Sequence, residues 1–445
     1  MMRLWSDKFN RHHEIAFLAI GSMLIGGGFY HLSSLFPDRA GMIGFLFSVW
    51  GICLIVGKVL LQWGFPNHHP ILFPMMMFLV GWGLLILARL VPILAIRQAI
   101  WLIVAWCVMF IIILLPNFFI IFKRFSWWIF GLTLLLLLTT FVVGVHPSLP
   151  VGAPALWLSL DLFFMQPAEL LKWVLIGIFA IQIEQKNWQK IITIWGLVIL
   201  LFIIQRDLGV AVLFCAVLFQ LAYLAGIQRR ILGISLTGMI VIGIIGFFLL
   251  PIIRLRVAIW LNPWVDVAGD SYQLVQSLFA FADGGIFGRG FGTGEPELIP
   301  LAHSDFIFSA IAEEWGLIGV FILIGLLAML IRICLMIGKK QSEMSHRFWA
   351  WGIGAMLISQ NVMIMAGALR IFPLTGMPFT FVSYGGSSLV VSMMMMGVLL
   401  RLSALPTITP DTNLNRETWY LRGILLILGV VGCVAFYWAV LWGRS

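Results

Sequence analysis

Charge is what this sequence has least of. Asp, Glu, Lys and Arg together make up 10% of its 445 residues, against 62% hydrophobic ones. With a mean hydropathy of +1.07, that excludes a soluble globular protein. Cysteine is scarce too: Cys53, Cys107, Cys215, Cys334 and Cys433 each fall inside an apolar run, and none forms a C-x-x-C pair. Neither a disulfide framework nor a zinc site is indicated, and the five read as packing residues. No small-residue cleavage pattern follows Arg3, Lys8 and Arg11, so the N-terminal stretch reads as leading into a retained span. The net charge of +9 is spread in small clusters between apolar runs, which argues for topology determinants and against nucleic-acid binding.

What is present is hydrocarbon in long runs. Thirteen stretches are expected to be helices, near 15–36, 41–63, 71–88, 98–122, 127–145, 164–182, 189–204, 207–226, 231–252, 307–337, 347–368, 384–403 and 421–442. The chain is therefore expected to be an all-α polytopic membrane protein. With a cytoplasmic N-terminus, Lys123-Arg124, Lys186 and Lys190, Arg229-Arg230, Lys339-Lys340 with Arg347, and Arg401 with Arg416 all face the cytoplasm, as the positive-inside rule requires. The segment 253–304 then lies outside, as does the C-terminus.

The polar signals concentrate on that outer side. The central one is Leu301-Ala-His303-Ser304-Asp305 with Glu313 and Glu314 beyond, three carboxylates at the mouth of an apolar helix, where desolvation demands partners or a watery cavity. A second is Gln166-Pro167-Ala-Glu169-Leu-Leu-Lys172; its Glu and Lys, three apart, share a helix face, and either a structural ion pair or a cavity-lining role fits. A third, Gln205-Arg206-Asp207-Leu-Gly209, serves as a turn or lines a site. The loop with Gln273, Gln276 and the glycines of 284–294 lacks the strand of a nucleotide fingerprint and reads as re-entrant, its glycines permitting backbone approach to a ligand. Ser383-Tyr384, with Gln360-Asn361 in the preceding span, is expected to form another wall of the pocket.

The runs QPAELLK, QRDLGV, NPWVDVAGDSYQLVQS, GRGFGTGEPELIPLAHSDFIFSAIAEEWGLIG and FPLTGMPFTFVSYGGSS closely resemble those of the SEDS (shape, elongation, division and sporulation) family of peptidoglycan glycosyltransferases, the family of RodA and FtsW. The resemblance covers roughly residues 71–403. It implies a ten-span core, expected over 67–405 with the large loop 253–304, two extra N-terminal spans in 1–66, and a linker with one extra span in 406–445. It also implies that Asp305 occupies the position of the family's essential aspartate. Departures are Arg206 and Val210 where the family usually has Pro and Thr, Ser304 for Thr, and Pro154-Ala155 where a basic residue is usual.

On this resemblance the expected substrate is lipid II, a polyprenyl-pyrophosphate-linked disaccharide-peptide, and the expected location the bacterial cytoplasmic (inner) membrane, with an extracytoplasmic active site. Asp305 would serve as general base. Arg97, Lys172, Arg206 and Arg256 are the candidates to stabilise the departing pyrophosphate. A divalent cation on Asp305 with Glu313 or His303 is an alternative. The expected partner is a class B penicillin-binding protein. The competing function is a flippase for the same lipid; the concentration of polar residues on one side favours the enzyme.

Overall fold

The computed structural model describes residues 2–145, 156–160 and 163–405. The expected span near 421–442 and the Pro154-Ala155 departure lie outside the described residues. The twelve other apolar runs are all helical. In chain order the helices are α1 (Met2–Leu35), α2 (Ala40–Gly64), α3 (Leu72–Leu90), α4 (Pro92–Leu114), α5 (Phe118–Val143), α6 (Pro167–Glu184), α7 (Trp188–Ile204), α8 (Leu208–Leu224), α9 (Arg229–Leu249), α10 (Pro251–Leu261), α11 (Tyr272–Gly284), α12 (Ile307–Lys340), α13 (Met344–Ala368) and α14 (Gly386–Ala404). A short antiparallel hairpin, β1 (Leu158–Leu160) with β2 (Phe163–Met165), precedes α6.

Among the described residues nine helices are long and apolar enough to cross a membrane. Helices α7 and α8 have 17 residues each, about 26 Å at the usual rise, slightly less than the ~30 Å hydrocarbon layer. Helix α6 has 18 residues but carries Glu169, Lys172 and Glu184.

Several boundaries differ from the periodicity. The span expected at 98–122 begins at Pro92, whose fixed φ suits the first helical turn, and it stops before Pro116-Asn117, where Asn117 takes a left-handed φ of 51°. Arg97 therefore sits in the second turn of α4 and not at its start. The segment 253–304, expected as one long polar connection, contains most of α10 and all of α11.

Helix α3 is buried along its whole span and packs against α1, α2, α4, α12 and α14. The helix ends separate into two polar zones. At one end Lys123 pairs with Glu184 at 3.0 Å, Arg401 bonds the Ile113 carbonyl at 2.8 Å, and the His69 amide bonds Ser403. At the other end gather the starts of α4, α6, α8, α12 and α14 and the ends of α1, α3 and α13, with α10 and α11 across them. Asp305 lies at this second end.

Candidate active site

Asp305 sits in a turn just ahead of α12. The N-cap residue is Phe306, which offers no side-chain cap, and the Asp305 carboxylate accepts from the Ser304 side chain instead of from a helix amide. Capping, the ordinary use of an Asp before a helix, is not its role. Burial is the main influence on it and pushes its carboxyl up to about 6, against the opposing pull of Ser304 and of the Arg256 cation.

The turn is held from the opposite wall. The Ser383 hydroxyl donates to the Ser304 carbonyl at 2.5 Å and accepts from the Phe379 amide at 2.8 Å. The Tyr384 amide donates to the His303 carbonyl at 2.8 Å. The loop before α14 is itself anchored by two amide side chains. Gln98 of α4 donates to the Ser383 carbonyl and accepts from the Gly385 amide at 3.3 and 3.2 Å. Asn361 of α13 accepts from the Thr380 amide at 3.0 Å and donates to its hydroxyl at 3.1 Å. Gly83 of α3 lies against the backbone of Val382, where a Cβ would collide. Beside the turn, burial holds His303 below its ordinary imidazole range, its ring centroid 6.1 Å from that of Tyr384. The Tyr384 hydroxyl, raised chiefly by burial, is hydrogen-bonded to Arg97.

Away from Asp305 runs a string of alternating charges. Arg256 of α10 lies within electrostatic reach of both Asp305 and Asp207, and its guanidinium donates to the Leu374 carbonyl at 3.2 Å. Asp207 caps α8 by accepting from the Val210 amide and lies in the field of Lys172 as well. Lys172 of α6 is 2.6 Å from Glu169 and 3.0 Å from Gln360, and Gln360 donates to the Pro378 carbonyl at 2.7 Å. Glu169 and Lys172 are both buried, a placement that low dielectric tolerates only for a paired, hydrogen-bonded couple. Three clusters separate in the sequence thus meet: Glu169 with Lys172, Asp207, and Asp305 with Ser383, joined by Arg256.

Other expected site residues fall elsewhere. Arg206 is exposed, has a left-handed φ of 62°, and lines a separate cavity of about 480 Å³ with Leu250, Pro251, Ile252 and Leu255. Gln273 and Gln276 are half-buried on α11, and their side chains make no hydrogen bond to the described residues. The three carboxylates expected at one mouth divide into two groups. Glu313 accepts from the Glu295 amide at 2.6 Å and Glu314 from the Gly292 amide at 3.1 Å, so both hold the glycine-rich loop and not the Asp305 pocket. The close approach expected of those glycines toward a ligand is made to the chain itself: Gly288, at φ 83°, lies on the backbone of Glu314 and Gly316. A cation on Asp305 and Glu313 does not fit this arrangement, and no group of three or more His, Cys, Asp and Glu able to hold a metal occurs among the described residues.

Arg89 is a structural participant that sequence reasoning missed. It ends α3, donates to Glu297 at 2.9 Å and to the Gly294 carbonyl at 3.0 Å, and lies 3.6 Å from Glu314. The available signal was a lone Arg closing an otherwise apolar run.

The family profile described as cell cycle protein, FTSW_RODA_SPOVE, matches residues 70–407. The chain belongs to this family. The match begins just ahead of α3 and leaves α1 and α2 outside it. Among similar proteins are a peptidoglycan glycosyltransferase RodA of Mycobacterium tuberculosis, 31% identical over 56% of this chain, and a probable peptidoglycan glycosyltransferase FtsW of Trichlorobacter lovleyi, 33% identical over 63% of it. The match spans 57% of the mycobacterial protein's length and 76% of the other's. Two solved structures are similar. A chain of a peptidoglycan synthase complex that coordinates polymerization and crosslinking has a TM-score of 0.66 at 26% identity, over 76% of this chain and 97% of that one. The rod shape determining protein RodA of Thermus thermophilus gives 0.56 at 25%, over 76% and 96%.

Proposed function

We propose that the protein is a peptidoglycan glycosyltransferase that polymerises lipid II at the extracytoplasmic face of the bacterial cytoplasmic membrane, with Asp305 as general base. The observation that carries this reading is the state of Asp305: a carboxylate not used as a helix cap, raised to about 6 by burial and held in a turn fixed by Ser383. A base poised near the working pH both exists unprotonated and retains proton affinity, which is worth about 10²–10⁴-fold in rate.

In this mechanism Asp305 removes the proton of the attacking sugar hydroxyl as its oxygen bonds to the donor sugar's anomeric carbon. The bond from that carbon to the pyrophosphate breaks, and the pyrophosphate leaves on its lipid. Its charge needs cations not already neutralised. Lys172 and Arg256 each have a carboxylate nearby. Arg97, hydrogen-bonded to the neutral phenol hydroxyl of Tyr384 beside the Asp305 turn, is the better placed candidate, and the exposed Arg206 could serve only a substrate that also reaches its separate cavity. The partner we propose is a class B penicillin-binding protein, whose crosslinking activity would use the new strand. The similarity to a chain of a complex that coordinates polymerization with crosslinking supports such a pairing.

The test is purified protein with its partner and labelled lipid II in vesicles. Glycan polymer made by the native chain and lost in Asp305→Asn supports the reading; redistribution of lipid II between leaflets without polymer supports the flippase instead.

A further inference from the structure

The two helices outside the family match are built into the chain at both ends. Near one end Glu14 of α1 forms an ion pair with Lys58 of α2, with His68 3.7 Å away. In the middle the Trp50 indole donates to the Met77 carbonyl at 2.7 Å, and the Trp106 indole donates to the Cys53 carbonyl at 2.9 Å. At the site end α1 reaches the glycine-rich loop. The buried His31 lies with Nε2 3.3 Å from the Phe291 carbonyl, so Nε2 must carry the proton and donate. Leu35 sits where a Cβ on Gly292 would be, and Gly292 has a φ of 86° that glycine accepts without strain. The Phe36 ring lies 5.7 Å from the Arg89 guanidinium, within cation–π range.

The three contacts at the site end, of His31, Leu35 and Phe36, each fall on a group that fixes the loop to α12. Phe291 stacks on Trp315 at 4.8 Å, and Trp315 meets Trp82 of α3 edge-on at 5.7 Å. The Arg289 and Gly290 amides donate to the Glu313 and Glu314 carbonyls at 2.8 and 3.1 Å, and Leu317 and Ile318 donate back to Gly285 and Ile286 across the break at Gly316. The first turns of α12, directly after Asp305, are thus bound to a loop that is bound in turn to the end of α1.

We propose that α1 and α2 form a positioning brace for the reaction, with His31 and Phe36 fixing the glycine-rich loop, and through it the start of α12 and the aim of Asp305. The inference rests on the glycosyltransferase reading for its effect on rate, while its structural part stands apart from that reading. His31 and Phe36 are positioning residues and touch no substrate.

The experiment pairs two measurements on the full-length protein with its partner. His31→Ala should speed amide hydrogen exchange in peptides covering 286–298 about five- to tenfold, the loss expected for one hydrogen bond in a local opening. It should also lower kcat for glycan polymerisation severalfold with KM for lipid II unchanged, since misaim costs transition-state and not ground-state binding. His31→Gln, which can present an amide N–H to the same carbonyl, should restore both. Phe36→Leu, keeping apolar bulk while removing the ring beside Arg89, supplies the same comparison if the alanine variant does not insert in the membrane. Unchanged exchange, or a lower kcat without faster exchange, overturns the brace, as does a raised KM at constant kcat. If the native protein makes no polymer, the glycosyltransferase reading fails, and the exchange comparison still decides whether the brace exists.

Discussion

The Ser383 hydroxyl donates to the backbone carbonyl of Ser304 at 2.5 Å, one residue ahead of Asp305. A single side chain from the loop before α14 therefore fixes the peptide that carries the proposed base, and by accepting from the Phe379 amide it fixes its own loop as well. Ser383→Ala removes both bonds and leaves a carbonyl and an amide without that partner, at a cost of about 1–3 kcal/mol. We expect roughly a tenfold fall in kcat with a smaller change in KM. Ser383→Thr should retain most activity. Steady-state polymerisation kinetics with an expression control check this, and an alanine variant with native kcat would show that the turn needs no such support.

Asp305 itself gives the sharpest contrast. Asn keeps the size and removes the basic oxygen, so polymerisation should fall by about 10²-fold or more while lipid II binding persists. Glu displaces the carboxylate by about an ångström, which can also cost about 10²-fold. Because the α12 N-cap is Phe306, neither change should cost the about 1 kcal/mol of a lost cap. Polymer assays beside thermal unfolding separate the two roles, and an active Asn variant would remove Asp305 from the chemistry.

Helix positions were legible because apolar length in a membrane protein is dictated by bilayer thickness. The pairing of Glu169 with Lys172 followed from helical spacing, and Pro167 stands in the first turn of α6 as its missing N–H favours. What the sequence could not convey was which polar groups consume one another. Glu313 and Glu314 sit only eight and nine residues after Asp305, yet they turn to the amides of 292 and 295, a choice set by tertiary folding of the loop. Arg256 and Asp207 lie 49 positions apart, and nothing local announces that one charge faces the other. Arg206 and Asp207 are adjacent, but the left-handed φ of Arg206 sends them to different surroundings.

That same φ makes a prediction. A non-glycine residue in the left-handed region costs about 1–2 kcal/mol, so Arg206→Gly should relieve strain and raise the unfolding temperature slightly. If the exposed guanidinium helps hold an anionic lipid headgroup beside its cavity, the same variant should bind lipid II more weakly, and more so at low salt. Thermal unfolding and lipid II binding on one preparation measure both. Higher stability with native affinity would confine Arg206 to the turn.

The buried couple of α6 predicts a mutational asymmetry. Glu169→Gln leaves Lys172 with Gln360 as its neutral partner, and Lys172→Met leaves Glu169 buried without its cation. Breaking a buried pair from one side costs about 3–5 kcal/mol. The charge-exchanged double variant should recover much of that stability without regaining full activity, because the string toward Asp207 would be reversed. Membrane-inserted yield and unfolding temperature are the readouts. Equal failure of all three variants would point instead to direct contacts with substrate.

Arg256 ties the string to the pH dependence of the reaction. Burial raises the Asp305 carboxyl to about 6, and Arg256 opposes that rise by favouring the charged form. A general base must be unprotonated, so kcat/KM for the native protein should climb through about pH 6 and level off above it. Removing the cation takes away the opposing pull. The proton is then held more tightly, and the apparent pKa moves upward, so Arg256→Gln should shift the rising limb to higher pH while the plateau rate above it falls less than the rate at pH 6. Arg256→Lys keeps the charge and should keep the limb near its native position, though it loses the planar geometry that meets the Leu374 carbonyl. Polymerisation profiles between about pH 5 and 9 for the three proteins, at saturating and limiting lipid II, test this. A limb that stays at the same pH in Arg256→Gln would mean that a group other than Asp305 sets the titration, and the assignment of the base would have to move.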